Sequence, residues 1–326
     1  GDPDIFVLGS KNGGGKTSVL ECCSMITLAG LSQRFSPVKL LGFSVFDSIV
    51  RAGQSSIAIT ADFSISQQSV VRSESIQLAI GLEGIENGLF DASKKGYLNL
   101  DLDHSPSKIY ASKGHINSII SFSGEPLIIP NLLHFNSYRK ISPNNPKLGK
   151  VTESSDARSR SMLRTDTQGN LGTSEFKSEV IRILMARASL FEGIQGKDSE
   201  SNLEKLNELT RKYAGGEIEK LGLSKVNTVD LRIKSNSSHS SFSFDNLSSG
   251  QKEIISTLFL IWRHTQNRPS IVIIDEPELH LNAEWHRDFI YQLHRLAPQN
   301  QYIIATHSEQ IFGSVDSDRR AILVPS

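Results

Sequence analysis

The chain changes its hydrophobic rhythm three times. Ile5-Phe6-Val7-Leu8 is an unbroken apolar run, followed by a glycine-rich stretch and by Val19, Leu20, Cys23 and Ile26 at helical spacing. Residues 5–30 therefore read as strand, loop and helix. From about 40 to 136 the runs are short and β-rich: Ser56-Ile57-Ala58-Ile59-Thr60, Ile76-Gln77-Leu78-Ala79-Ile80, Tyr97-Leu98-Asn99-Leu100-Asp101-Leu102 and Pro126-Leu127-Ile128-Ile129. Turn residues separate them, which predicts an antiparallel meander. Residues 139–172 are polar and rich in Ser, Asn and Gly, the composition of a long surface loop.

Helical spacing returns near 174–195 and over 202–220, where Leu203, Leu206 and Leu209 share a face. A strand at 229–233 and a serine-rich turn (Ser237, Ser238, Ser240, Ser241) lead into the last third. There the expected order is helix 249–265, strand 271–275, helix 283–296, strand 301–305, a short helix and strand 321–324. Strands alternating with helices imply a parallel sheet. The expected fold is α/β, a parallel sheet flanked by helices with an antiparallel β subdomain and a helical insertion. It divides into an N-terminal lobe at 1–136, a polar loop and helical insertion at 137–225, and a C-terminal lobe at 226–326. The chain shows no internal repeat and no heptad array long enough for a coiled coil.

Composition changes this picture little. Hydrophobic content of 38% and charged content of 21% are ordinary for a globular protein. The formal net charge is zero, so no global field draws the chain onto nucleic acid or an anionic membrane. A local basic run, Arg139, Lys140, Lys147, Lys150, Arg158, Arg160 and Arg164, has the charge to follow phosphates. Glu153 and Asp156 interrupt it and aromatics are scarce, so a solvated loop fits it better than a phosphate-following one, and a partner-binding loop fits equally well. Cys22 and Cys23 are neighbours on one predicted helix and form no disulfide framework, which suits a reducing compartment. No apolar run approaches the roughly 20 residues of a membrane helix, and no secretory apolar segment opens the chain. The expected location is cytoplasmic.

Candidate chemistry lies at four places. Ser10-Lys11-Asn12-Gly13-Gly14-Gly15-Lys16-Thr17 joins the first strand to the first helix. Its glycines let backbone N–H groups curl around phosphates, which makes Asn12, Gly13, Gly14, Gly15, Lys16, Thr17 and Ser18 the expected nucleotide-binding residues. Lys16 is placed to reach the β- and γ-phosphates, and Thr17 offers its hydroxyl to Mg²⁺. Ser10 stands where the usual first glycine stands, with Gly9 one place early. A glycine-rich turn with a solvated lysine is the bland alternative, and the strand–loop–helix context argues against it.

Next, the apolar run Ile271-Val272-Ile273-Ile274 delivers Asp275 and Glu276 to a strand end, where ligands bind in parallel sheets. Asp275 is the expected Mg²⁺ holder, and Glu276 the group that polarises the attacking water. Third, in Asn246-Leu247-Ser248-Ser249-Gly250-Gln251, Ser248 and Gln251 fit a capping box for a helix whose Ile254, Ile255, Leu258 and Trp262 form an apolar face. The same N-terminus, with Ser248, Ser249, Gly250 and Gln251, is an anion site placed to meet a γ-phosphate held by a second molecule. Finally, Ala305-Thr306-His307-Ser308 follows the strand Tyr302-Ile303-Ile304. A structural histidine would explain it alone. In a βαβ rhythm after the acid pair, His307 is placed to sense the γ-phosphate, which gives Lys16, Glu276 and His307 as the catalytic set.

Lys16-Thr17, Leu247-Ser248-Ser249-Gly250-Gln251, Asp275-Glu276-Pro277-Glu278-Leu279-His280-Leu281 and Thr306-His307-Ser308 resemble the Walker A, signature, Walker B and switch-histidine motifs of ABC-type ATPases. Asp275 to Leu281 is closer to the RecF, SMC and OLD branch than to transporters, which usually have an aspartate where this chain has Asn282. The resemblance covers about the first 30 and last 100 residues. It implies ATP and Mg²⁺ as ligands and a head-to-tail homodimer, or a higher oligomer, in which Ser248 and Gly250 act in trans. Ser249 replaces the glycine usual at the signature's third position. Gln77 is a weak candidate for the family's Q-loop glutamine. Such ATPases have a pair of strands before the first one seen here, so residue 1 is expected not to be the natural start.

Two functions follow. The chain also resembles the ATPase subunits of two-gene anti-phage systems such as PARIS and Septu. That implies a sensor and scaffold controlling a separate effector, a nuclease, in response to a phage-derived trigger. The alternative is a RecF-like DNA-binding ATPase of repair. No second His, Asp and Glu cluster is visible, so we expect the chain not to be itself a nuclease.

Overall fold

A computed structural model describes residues 4–10, 13–31, 56–67, 70–82, 97–100, 107–112, 131–137, 173–188, 199–223, 229–238, 240–266 and 269–324. The apolar strands build a five-stranded sheet in the order β12 (Arg320–Ile322), β1 (Asp4–Gly9), β11 (Gln301–Thr306), β10 (Ser270–Asp275), β6 (Asn131–Phe135). Every pairing in it is parallel. Val7, Val272, Ile274, Tyr302 and Ile304 are fully buried, as near-continuous apolar runs in a parallel sheet should be. Helix α1 (Lys16–Leu31) packs across β10 and β11. The expected α/β architecture is the observed one.

The antiparallel reading holds for a second sheet, ordered β2 (Ser56–Gln67), β3 (Val70–Leu82), β5 (Ser107–Ser112), β4 (Tyr97–Leu100). The expected strand at 126–129 lies outside the described residues. β6 follows it and belongs to the parallel sheet, beside β10. Its Asn-Leu-Leu-His-Phe sequence gave no alternation to read, because Leu132, Leu133 and Phe135 are all buried.

Two predicted helices end earlier than expected, the first, read near 174–195, giving way to a turn at Ala188. After α2 (Thr173–Arg187), α3 (Ser199–Ala214) stops six residues before 220 because Gly215 adopts φ +69°, the left-handed conformation that terminates helices. The chain then enters β7 (Gly216–Leu223), which with β8 (Val229–Ser235) and β9 (Ser241–Ser243) forms a three-stranded antiparallel sheet.

The last third has the expected α4 (Ser249–Thr265), α5 (Ala283–Leu296) and a short α6 (Glu309–Phe312). α4 is buried along most of its length, with Phe259 edge-on to Phe176 at 5.7 Å and Phe176 stacked on Phe244 at 5.0 Å. Each such side chain contributes about 1.5–3 kcal/mol. The C-terminal end of α3 pins two neighbours. Its Tyr213 carbonyl accepts from Gln251 Nε2 at the start of α4 (2.9 Å), while Lys212 and the Tyr213 hydroxyl both reach Asp288 of α5. Among the described residues no helix is long and apolar enough to cross a membrane.

Candidate functional site

Register brings the chemistry together. Gly9 lies opposite Thr306, and Asp275 opposite Ala305, so β1, β11 and β10 end level with one another. The phosphate loop, the acid pair and His307 leave the sheet from that common edge. β6 ends one step earlier, with Phe135 opposite Ile274, so Asn136 follows at the level of Asp275. This places an amide at the edge that the sequence reading had left without one. Gln77, the weak candidate, lies instead on β3 of the antiparallel sheet.

In the phosphate loop, Gly13 and Gly15 adopt φ +76° and +82°. Among the described residues nothing stands within 4 Å of a Cβ at either position, so glycine serves there for conformation and not for space. Asn12 lies outside the described residues. Gly14 is in the turn, and Ser18 is in the first turn of α1. Lys16 is the first residue of α1 and only 5% exposed. Burial pulls its pKa below the usual lysine value, opposed by the carboxylates of Glu276, Asp275 and Glu278.

The Lys16 ammonium donates to Ser10 Oγ at 3.1 Å and lies 2.7 Å from His307 Nε2. That same nitrogen is 3.2 Å from Glu276 Oε1. Thr17 Oγ1 donates to Asp275 Oδ2 at 2.7 Å. Lys16, His307 and Glu276 thus meet in one contact group, and Thr17 with Asp275 forms a second pair beside it, although as many as 291 positions separate the members. A hydroxyl and a carboxylate oxygen beside a glycine-rich loop at a helix start are the kinds of hard-oxygen donor and anion-binding backbone that suit Mg²⁺ with a nucleoside triphosphate.

Glu276 itself has φ +47°, a left-handed conformation unusual for a residue with a side chain and costing about 1–2 kcal/mol. Its amide donates to Ala305 O at 2.8 Å, which extends the β10–β11 ladder into the turn and holds the residue there. Burial, with Cys23 and Glu21 alongside, pushes the Cys22 thiol up to about 12, so it is no nucleophile at neutral pH.

The signature segment sits at the start of α4. Ser248 caps the helix, accepting from Gln251 N at 3.2 Å, while Gln251 Oε1 accepts from Ser248 N at 3.0 Å. Ser248 and Ser249 are exposed and Gly250 is buried. A Cβ on Gly250 would lie 2.3 Å from the His280 carbonyl oxygen. The signature helix is therefore seated on the turn that follows Asp275 and Glu276 in the same chain.

Sequence reasoning missed Glu278. Its Oε2 accepts from Thr306 Oγ1 at 2.7 Å and its Oε1 from the His307 backbone N–H at 2.5 Å. The signal was a third acid in Asp275-Glu276-Pro277-Glu278, read only as part of a motif.

Comparisons with known proteins agree with this geometry. The chain is 24% identical over 172 residues to "Retron Vc95 probable ATPase" of Vibrio cholerae serotype O1 biovar El Tor, covering 50% of this chain and 32% of that protein. It is 33% identical over 99 residues to "Retron Ec83 probable ATPase" of Escherichia coli, covering 27% of this chain and 18% of that protein. The chain thus spans less than a third of either curated relative. Among solved structures, an SMC head bound to the C-winged helix domain of ScpA superposes with a TM-score of 0.50 at 12% identity, over 96% of this chain and 85% of that one, a likeness of fold. Residues 11–312 match the family described as "AAA domain, putative AbiEii toxin, Type IV TA system". The chain belongs to that AAA-domain family and has the fold of an SMC-type ATPase head.

Proposed function

We propose that the chain binds Mg²⁺-ATP between two copies of itself, hydrolyses it, and serves as sensor and scaffold for a separate effector, a nuclease, in anti-phage defence in the cytoplasm. The observation that carries the nucleotide part is the convergence of Lys16, Thr17, Asp275, Glu276 and His307 at the level ends of three parallel strands.

In this reading the loop amides and Lys16 hold the β- and γ-phosphates, and Thr17 and Asp275 hold Mg²⁺. The bound ion supplies charge neutralisation on the phosphate oxygens. Glu276 orders the attacking water and accepts its proton, and His307 meets the γ-phosphate charge. The exposed Ser248 and Ser249 at the start of α4 contact the γ-phosphate held by the partner copy.

The two relatives described above are each named as a retron "probable ATPase", which supports an ATPase serving a larger system over a free-standing repair clamp. The finer grouping with PARIS-like or Septu-like two-gene systems, and the phage-derived trigger, belong to the same proposal. The basic run at 139–164, the support for a RecF-like reading, lies outside the described residues.

The test is a pull-down with tagged Glu276→Gln protein from the native host, with and without ATP, identifying bound protein and nucleic acid. A stoichiometric effector that needs ATP to stay bound is expected. DNA without a protein partner would replace this reading with the repair clamp.

A further inference from the structure

Glu278 stands between two parts of the site that the hydrogen bonds above do not otherwise join. Both of its carboxylate oxygens are committed to the segment carrying the switch histidine, one to the Thr306 hydroxyl and one to the His307 amide. Thr306 is 1% exposed, and its Oγ1 also accepts from Ser308 N at 2.9 Å. Ser308 in turn caps α6 and meets His286 Nδ1 of α5 at 2.9 Å. The loop beyond β11 is thus anchored through one carboxylate, and its imidazole projects onto Lys16 and Glu276.

The backbone of Glu278 serves the other side. Its carbonyl accepts from Leu281 N at 2.9 Å, closing the turn that holds His280 at φ +67°. The His280 carbonyl is the atom against which Gly250 is seated. Side chain and main chain of one residue therefore fix the switch segment and the seat of the signature helix.

We propose that Glu278 is a positioning residue for the ATPase reaction, holding His307 over Lys16 and Glu276 and tying that geometry to the signature-bearing end of α4. It rests on the reading of this site as an ATP site. Glu278 touches no reacting atom, so its loss should affect turnover and leave ground-state nucleotide binding intact. A carboxylate is suited to the task because two donors, a hydroxyl and an amide, must be accepted side by side, with charge strengthening both bonds.

The experiment compares Glu278→Ala, Glu278→Gln, Thr306→Val and Glu276→Gln in the full chain, measuring steady-state ATP hydrolysis, ADP affinity and thermal melting. Expected for Glu278→Ala is a fall in kcat of about 10²-fold, the scale of a misplaced catalytic group. KM for ATP and the ADP Kd should stay within about threefold, a difference under 1 kcal/mol. Glu278→Gln keeps one acceptor and should recover part of the loss. Thr306→Val, isosteric with the wild type, should lower kcat with ADP affinity unchanged. Normal turnover in Glu278→Ala and Thr306→Val beside a dead Glu276→Gln would overturn the proposal and leave the ATP site standing. Loss of ADP binding and melting temperature in step with kcat, in both variants, would show a merely structural role and also overturn it. Normal turnover in Glu276→Gln as well would remove the reading of the site on which it rests.

Discussion

Lys16 and Glu276 compete for the same few ångströms around His307 Nε2, at 2.7 and 3.2 Å. Lys16 is almost fully buried and held near three carboxylates that sustain its charge against desolvation. In the proposed reading its role is electrostatic, so Lys16→Ala should weaken ATP binding by about 10–100-fold, the equivalent of one hydrogen bond to a charged group. Glu276→Gln should bind ATP normally and lose turnover by about 10²–10⁴-fold, because the amide cannot accept the water's proton. Equilibrium binding and steady-state hydrolysis on the two variants separate these outcomes; equal losses in both assays would remove the assignment. Side-chain chemistry made these residues legible in the sequence: lysine after glycines, acids after an apolar run, histidine after another. Glu278 was not legible as a separate group, because its partners, the Thr306 hydroxyl and the His307 amide, are nearly thirty positions away.

The elements were legible wherever burial imposed a period. α4 and α5 run over the expected 249–265 and 283–296, and the capping box read from Ser248 and Gln251 is formed. β6 escaped because a strand buried on both faces has no alternation. β7 escaped because Ala214, Ile218 and Leu221 keep helical intervals across Gly215, where conformation, not hydrophobicity, ends the helix. The signature helix offers a prediction at this scale. Ser248→Ala should cost about 1 kcal/mol through loss of the cap. Gly250→Ala should cost about 1–3 kcal/mol through overpacking against the His280 carbonyl. Urea denaturation reads both, and an alanine at 250 without effect would show that the α4 seat yields freely.

At the scale of the whole molecule, one chain presents two different surfaces. The phosphate loop and acid pair lie at the sheet edge, and the exposed Ser248 and Ser249 lie at the start of α4. Sequence order told that these are far apart along the chain; it carried no register, so the level ends of β1, β10 and β11 came only from the fold. In the proposed assembly each surface completes the other across a two-fold axis, and the effector reads the closed dimer. The most direct test is the mass of Glu276→Gln protein by light scattering, with and without ATP. The account predicts a monomer without nucleotide, a mass twice as large with ATP, and a monomer again when Ser249→Arg is added. A mass that ignores ATP, or a dimer that survives Ser249→Arg, would contradict it.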